Sequence, residues 1–368
     1  MQDRVKDIAL TVVFALIIGV IAIANVIVPD SEISEAERRK LASFPQLSLE
    51  SAFTSDFYIS VDEYAADQFV LRDSFRALKA LTQLCAFQRL DNNDVYVQNG
   101  HLAKLEYPLN EHAVIQVANA INRVLSDYLD GMNVYYSIVP DKNYYLAAQS
   151  GRPSLDYDAL ARIARENISP DITYIDLFDS LDITCYFNTD SHWRIERLES
   201  VVGKLAAGMG FESDFRMEDY DLHSITGFRG VYYGQAALPF PGEELCYLVD
   251  DSTRNAIVTD LESGKQLPVY TLDEFDNVDP YDVYLSGASP LLSIKSGDSA
   301  TQKRLIVFRD SFGSSLAPLL LGEYERIDLV DLRYVSADVI GEYLDFDGDA
   351  DVLFLYSATL YNSSGILR

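Results

Sequence analysis

The strongest constraint on the fold is an uncharged apolar run of 21 residues, 8–28 (IALTVVFALIIGVIAIANVIV). This length of helix crosses the hydrocarbon core of a bilayer. The basic residues Arg4 and Lys6 precede the run and acidic residues follow it, which favours a cytoplasmic N-terminus and an exported body. The Ala-x-Ala pattern at 22–24 leaves a cleaved signal peptide as one alternative, although the apolar run continues beyond it and favours a retained anchor. A buried helix of a globular protein is the other alternative. The anchor and the signal peptide both place residues 30–368 outside the cytoplasm, at the cell surface or in a periplasm.

The charge of the chain limits the classes of molecule that it is expected to bind. It carries 57 acidic and 29 basic residues, a formal net charge of −28. A body this acidic repels phosphate backbones, so we expect no nucleic-acid partner. Neutral glycans are compatible with this charge. The 24 tyrosines fit a sugar-binding surface, because each ring is an apolar face with a polar hydroxyl, and they equally fit an ordinary core.

The sequence after the apolar run predicts a linker and one domain. Residues 1–29 form the anchor or signal segment, residues 30–56 are polar and predict a juxtamembrane linker, and residues 57–368 predict an α/β domain. In this domain, strand-like runs such as 133–139 (NVYYSIV) alternate with helical patterns, which predicts a parallel sheet flanked by helices. Residues at about 211–296 are rich in Tyr, Gly and Pro and predict a β-rich insertion.

A strand-like run leads into a serine at residues 306–315 (IVFRDSFGSS). A serine between a buried strand and a helix has its hydroxyl exposed at the carboxyl edge of the sheet. Backbone N–H groups at the start of the helix can stabilise an oxyanion there. Ser311 is therefore a candidate nucleophile, and a simple helix cap is its alternative role.

A second motif supplies a base for this serine, NTDSHW at 188–193. A serine nucleophile needs a base with a pKa near neutrality, and histidine is the usual choice. Among the four histidines, His192 has a carboxylate two residues upstream, Asp190. An Asp-x-His turn can place the carboxylate beside the ring and select its tautomer.

These motifs and several others, in the same order, resemble the DHHW family of bacterial surface proteins, which is related to the alginate O-acetyltransferases. The shared segments are ERRKLASFP (37–45), DQFVLRD (67–73), the Asp-x-His-Trp turn, YDVYL (281–285), RDSF (309–312) and DLRY (331–334). The resemblance implies an SGNH hydrolase-like fold. It also implies a triad in which Ser311 is the nucleophile, His192 the base and Asp190 the group that orients the base.

Two positions depart from the family pattern. Ser191 replaces the first His of Asp-His-His-Trp, and Ala288 lies where relatives resemble Gly-Gly-Asn-x-Pro. The missing Asn is a candidate oxyanion donor, and loss of one such donor costs a factor of about 10²–10³ in rate.

The resemblance implies an extracytoplasmic O-acyl(acetyl)transferase that modifies a polysaccharide through an acyl-enzyme. The acyl donor would come through a membrane-bound protein, because the chain has one span and no nucleotide-binding motif, and no cofactor is expected. A carbohydrate esterase is one alternative. The other is a catalytically impaired glycan-binding or assembly protein of the cell envelope, which the Ala288 departure favours.

Further residues are candidates for substrate contact because they lie beside the motifs or end a strand at the expected active edge. They are Trp193, Arg309, Asp141, Lys142, Tyr232 and Tyr233. A solvated turn is the alternative for the pair at 141–142, and core packing for the two tyrosines. No metal site is expected, because the run DFDGDAD (345–351) resembles a calcium loop but lacks its closing Glu.

Overall fold

The computed structural model describes residues 2–48, 50–211, 213, 215–299, 301–346 and 350–368. The chain divides into two units, Met1–Arg89 with Ala237–Pro239, and Leu90–Ala236 with Phe240–Arg368.

The first unit begins with the apolar helix and continues into short elements. Its Arg4–Ile27 segment is long and apolar enough to cross a membrane. In chain order the elements are α1 (Gln2–Ile27), β1 (Ile33–Ser34), β2 (Arg39–Lys40), α2 (Ser55–Asp67) and α3 (Arg72–Leu81). A π-helical turn, Thr82–Ala86, continues α3. The strands β1 and β2 pair antiparallel.

The second unit is an alternation of strands and helices. In chain order its elements are β3 (Val95–Gln98), β4 (His101–Lys104), α4 (Glu111–Tyr128), β5 (Asn133–Val139), α5 (Lys142–Ser150), α6 (Tyr157–Asn167), β6 (Ile172–Tyr174), α7 (Glu199–Gly208), β7 (Asp221–Phe228), α8 (Val231–Ala236), β8 (Glu243–Val249), α9 (Asp251–Arg254), β9 (Ile257–Asp260), β10 (Gln266–Leu267), β11 (Leu291–Lys295), β12 (Arg304–Arg309), α10 (Phe312–Leu316), β13 (Arg326–Val330), β14 (Ala350–Ser357) and α11 (Ala358–Tyr361).

Within the described residues, the central sheet has eight strands in the order β10-β9-β11-β13-β12-β14-β5-β6. The strands from β13 to β6 run parallel, and β11, β9 and β10 extend the sheet antiparallel. The predicted α/β fold with a mainly parallel sheet is thereby confirmed. Residues 211–296 contribute to the central sheet through β9, β10 and β11, while β7 and β8 form a separate two-stranded ribbon.

Both faces of the central sheet are covered, as expected for parallel strands. Alternate residues of β12 enter opposite cores, Leu305 and Val307 with α7 on one side, Ile306 and Phe308 with α4 and α6 on the other. Since β5, β12 and β14 run parallel, their carboxyl ends meet at one edge of the sheet. Ligand sites of open α/β sheets lie at this edge.

Candidate active site

Ser311 lies in the turn between the carboxyl end of β12 and the start of α10, and its side chain is half-buried. The preceding Asp310 holds this turn in place. Its carboxylate accepts hydrogen bonds from the N–H of Phe312 at 3.1 Å and from the N–H of Ser357, at the end of β14, at 2.8 Å. Gly313 lets the turn pass close to β12, because a Cβ at this position would lie 2.6 Å from Cβ of Arg309.

His192 links Ser311 to Asp190. Its Nε2 lies 2.7 Å from Ser311 Oγ, and its Nδ1 lies 2.6 Å from Asp190 Oδ1. Because an ionised carboxylate can only accept, Nδ1 carries the proton and Nε2 accepts from the serine hydroxyl. Asp190 is fully buried, and its other oxygen accepts from the N–H of Val231 at 2.7 Å. The three residues therefore form a continuous hydrogen-bonded line with the tautomer that a general base requires.

An aromatic ring fixes the orientation of the imidazole. Tyr281 stacks on His192, and its hydroxyl donates to Ser315 Oγ at 2.8 Å. Trp193 Nε1–H donates to the same oxygen, also at 2.8 Å. Ser315 is fully buried in α10, four residues beyond the candidate nucleophile. Ser315 therefore anchors the two aromatic side chains next to the imidazole.

A buried ammonium holds the segment that carries Asp190. Lys142 Nζ donates to the carbonyl oxygens of Phe187 at 2.7 Å, Asn188 at 3.0 Å and Asp190 at 3.1 Å. Burial lowers the pKa of this lysine to about 7, against the attraction of the Asp190 and Glu243 carboxylates. Three oxygens of one loop thus converge on one cation.

The carboxylate of Glu243 binds backbone N–H groups of the same segment. Its carboxylate accepts from the N–H of Asn188 at 2.7 Å and from the N–H and hydroxyl of Thr189 at 2.8 and 2.7 Å. Arg194 Nη2, 2.5 Å away, compensates the charge of this carboxylate. Lys142 thus binds the carbonyl groups of this segment and Glu243 binds its N–H groups. We call this pair the Lys142–Glu243 clamp.

Gly230 approaches the backbone of Asp190 more closely than any other residue type permits. A Cβ on Gly230 would lie 2.3 Å from Cα of Asp190. Its N–H donates to the hydroxyl of Thr189 at 3.0 Å. Sequence reasoning did not identify Gly230, Glu243 or Ser315 as parts of the site. Tyr281 was found only as a member of a motif, since no local pattern brings it to His192.

Most of the predicted substrate-contact residues have buried side chains. Trp193 and Arg309 are at most 1% exposed, and Arg309 Nη1 lies 3.5 Å from the carboxylate of Asp331. Tyr232 is also buried, with the Lys142 ammonium 5.5 Å from its ring centre. These side chains pack inside the protein around the site, and their role in substrate contact stays a prediction.

Asp141 is buried as well. It caps α5 by accepting from the N–H of Asn143 at 2.7 Å, and it accepts from the hydroxyl of Tyr157 at 2.8 Å. Burial raises the pKa of Asp141 to about 6. Tyr233 is different, because it is half-buried and carries the guanidinium of the exposed Arg229 4.9 Å from its ring centre. Of the six predicted contacts, Tyr233 is the one with an accessible ring.

The loop with the departing residue Ala288 has an unusual backbone. Leu285, Ser286 and Gly287 have consecutive positive φ angles of 57°, 57° and 84°. The carbonyl of Ser289 accepts from Arg309 Nη2 at 3.4 Å, which ties this loop to the end of β12. Ala288 itself is exposed.

In the part of the chain that the structure describes, no group of three His, Cys, Asp or Glu side chains is placed to hold a metal ion. Residues 347–349 of the acidic run at 345–351 lie outside the described residues.

The fold is similar to solved structures, although no family model and no curated protein matches the chain. A DHHW family protein from Eubacterium siraeum is 18% identical, with a TM-score of 0.60, over 75% of this chain and 94% of that one. PatB1 from Bacillus cereus, with a sulfonyl adduct, is 17% identical, with a TM-score of 0.56, over 74% and 98%. A further PatB1 structure is 17% identical, with a TM-score of 0.56, over 73% and 97%. The resemblance drawn from the motifs is thus confirmed at the level of fold.

Proposed function

We propose that this protein is an extracytoplasmic, serine-dependent O-acyltransferase that transfers an acetyl group to a cell-surface or exported polysaccharide. The observation that carries the proposal is the position of His192, within hydrogen-bond reach of both Ser311 Oγ and the buried carboxylate of Asp190. The structural similarity to a DHHW family protein and to PatB1 supports it.

The chemistry proceeds in two half-reactions. Ser311 Oγ attacks the acyl carbonyl carbon while His192 Nε2 takes the hydroxyl proton, and the imidazolium then protonates the leaving group. A sugar hydroxyl next attacks the acyl-serine ester, loses its proton to His192, and the returning proton regenerates Ser311. The Nδ1–H bond to Asp190 stabilises the imidazolium in both half-reactions.

The backbone around Ser311 limits which groups can stabilise the oxyanion. The N–H of Phe312 donates to Asp310 Oδ1 and that of Gly313 to the carbonyl of Asp310. Among the described residues, the N–H of Ser311 has no protein acceptor, so we assign it to the oxyanion. Ala288 cannot add a side-chain donor, which makes a weak oxyanion site and a slow enzyme the expected outcome.

The compartment and partners are part of the proposal. The apolar α1 would anchor the protein, its body would lie outside the cytoplasm, and the acyl group would arrive through a membrane-bound donor protein. A neutral glycan is the acceptor that fits the net charge of −28. Carbohydrate esterase activity is the second candidate, since Ser311 is half-exposed and water can reach an acyl-serine there.

Covalent labelling tests the proposal. PatB1 is described with a sulfonyl adduct, so a sulfonyl fluoride and a fluorophosphonate are suitable probes. We expect both to label Ser311 in the wild type, no labelling in Ser311→Ala, and unchanged labelling in Ser224→Ala, which alters an exposed serine on β7. Absence of labelling in a folded wild type would refute both enzyme functions and leave the glycan-binding alternative.

A second assay separates transfer from hydrolysis. The protein is incubated with 4-nitrophenyl acetate and neutral oligosaccharides, such as xylo- or gluco-oligosaccharides. The products are identified by mass spectrometry. Acetylated oligosaccharide that depends on Ser311 supports the transferase. Release of acetate alone, at a rate that the acceptor does not change, supports the esterase.

A further inference from the structure

Helix α3 exposes its apolar residues. Leu71, the N-cap residue, and Phe75 and Leu78 within the helix are spaced at i, i+4 and i+7, and they are 66%, 47% and 59% exposed. A stripe at this spacing normally faces the core of a soluble protein. Contiguous exposed apolar side chains of this size mark a surface that another phase or molecule covers.

Two arginines of the same helix turn away from solvent, while Asp73 and Lys79 are exposed. The guanidinium of Arg72 pairs with Glu37, and Arg76 Nη2 lies 3.0 Å from Glu37 Oε1. The side chains of Arg72 and Arg76 are 18% and 21% exposed, and Arg72 also lies 3.5 Å from the carboxylate of Asp67. The arginine ion pairs of this helix are therefore less exposed than its apolar stripe, the opposite of the usual arrangement for these residue types in water.

Hydrogen bonds attach the start of α3 to the end of the apolar helix. The N–H of Val70 donates to Asn25 Oδ1 at 2.7 Å, and Asn25 lies in the last turn of α1. Gln68 exchanges two hydrogen bonds of 2.9 Å with the backbone of Ser31, just beyond α1. If α1 crosses a bilayer, Leu71 is held at the level where α1 leaves the hydrocarbon core.

We propose that the apolar stripe of Leu71, Phe75 and Leu78 lies in the interfacial layer of the membrane, in the leaflet from which α1 emerges. The proposal rests on α1 being a retained anchor and is independent of acyl-transfer activity. A lipid surface is the occupant that the structure favours, because the hydrogen bonds to Asn25 and Ser31 hold Leu71, the first residue of the stripe, near the end of α1. An amphipathic helix in this position inserts its apolar face at the boundary of headgroups and acyl chains.

The charge of the protein indicates how this contact is made. The chain carries a net charge of −28, and the basic side chains of Arg72 and Arg76 are engaged with carboxylates. Attraction to anionic lipids therefore contributes little, and burial of the apolar side chains carries the contact. We expect insertion into neutral bilayers that is insensitive to salt, and no strengthening by anionic lipids, which an acidic body repels.

Depth-dependent quenching in nanodiscs tests the proposal on the full chain. Leu71→Cys and Leu78→Cys, each in a Cys85→Ser background, carry a fluorescent label, and Cys185 and Cys246 are buried. Ile257→Cys, on the exposed side of β9, is the matched control. Quenching by nitroxide lipids and protection from aqueous iodide are expected at positions 71 and 78, and the reverse at 257. Neutral nanodiscs at low and high salt should give the same result, and anionic nanodiscs should not give stronger lipid quenching.

Three outcomes would overturn the proposal. Iodide quenching at 71 and 78 equal to that at 257 places the stripe in water. Protection from both quenchers indicates a protein partner or a second copy of the chain. A label at Ala15→Cys, in the middle of α1, reports the anchor separately. If lipid quenching fails there, the anchor and the proposal fail together, while Ser311 labelling still decides the acyl-transfer function.

Discussion

The phenol ring of Tyr281 lies parallel to the imidazole of His192, with ring centroids 3.9 Å apart and an interplanar angle of 11°. An aromatic face beside a ring that becomes cationic stabilises the imidazolium by about 1–2 kcal/mol. The same face restricts rotation of the imidazole away from Ser311. Tyr281 is therefore placed to support proton transfer through its contact with the imidazole.

Removal of the ring should slow acylation. For Tyr281→Leu we expect a loss of roughly 5- to 30-fold, the equivalent of about 1–2 kcal/mol. Tyr281→Phe keeps the stack and loses the hydrogen bond to Ser315, so a smaller loss is expected. The rate of Ser311 acylation by 4-nitrophenyl acetate measures both. Equal rates for the Phe and Leu variants would show that the stack does not matter.

Gly230→Ala should disable the site while the fold survives. The new Cβ would lie 2.3 Å from Cα of Asp190, so the carboxylate must move. Displacement of a catalytic group by about 1 Å costs a factor of about 10² in rate. Gly203→Ala in α7 is the control, because a Cβ there meets nothing within 4 Å. The rate of fluorophosphonate labelling is measured for both variants. A Gly230→Ala protein that is labelled as fast as the wild type would contradict the expectation.

Local patterns explain which parts of the site the sequence could predict. The strand, turn and helix around Ser311 and the Asp-x-His turn at His192 are each complete within ten residues. Gly230, Glu243 and Tyr281 reach the site through tertiary packing, which leaves no local pattern. Their roles therefore needed the structure.

Lys142 and the strands after residue 250 show the same limit. The position of Lys142 after β5 predicts that it lies at the carboxyl edge of the sheet, where the structure places it. Its charge predicts a side chain in a solvated turn or in a cleft, and the structure instead buries it. The ammonium turns inward because three loop carbonyls need a donor. Likewise, β9, β10 and β11 were recognisable as β-prone, but their antiparallel addition to the central sheet depends on partners distant in sequence.

The buried Lys142 should give stability a distinct pH dependence. Its pKa falls from an ordinary 10.5 to about 7 through burial. Between these values the unfolded chain holds a proton that the folded protein has released, so this lysine makes unfolding free energy rise with pH. The slope is at most about 1.4 kcal/mol per pH unit. Below pH 7 both states are protonated and the contribution is constant.

Lys142→Met removes this pH-dependent contribution to the free energy of unfolding and leaves the three loop carbonyls without their donor. Urea denaturation at pH 7 and pH 9 should show the stability of the wild type rising relative to the variant. Lys204→Met, at an exposed position in α7, is the control and should show no such change. A difference between wild type and Lys142→Met that stays constant or shrinks with pH would contradict the lowered pKa.

Ala288→Asn should increase activity. Ala288 is exposed in the loop that the Ser289 carbonyl ties to Arg309, two residues before Ser311. The motif resemblance implies an Asn at this position, and an oxyanion donor is worth a factor of about 10²–10³ in rate. The three residues before it, 285–287, have left-handed backbone conformations that set the path of the loop.

We expect Ala288→Asn to raise kcat for 4-nitrophenyl acetate by about 10-fold or more, with little change in KM, because the donor acts on the transition state. Ala288→Leu is the matched control, since leucine has nearly the shape of asparagine and no donor. A rise in both variants would indicate improved packing instead of an oxyanion contact. No rise in either would show that residue 288 does not face the carbonyl oxygen bound at Ser311.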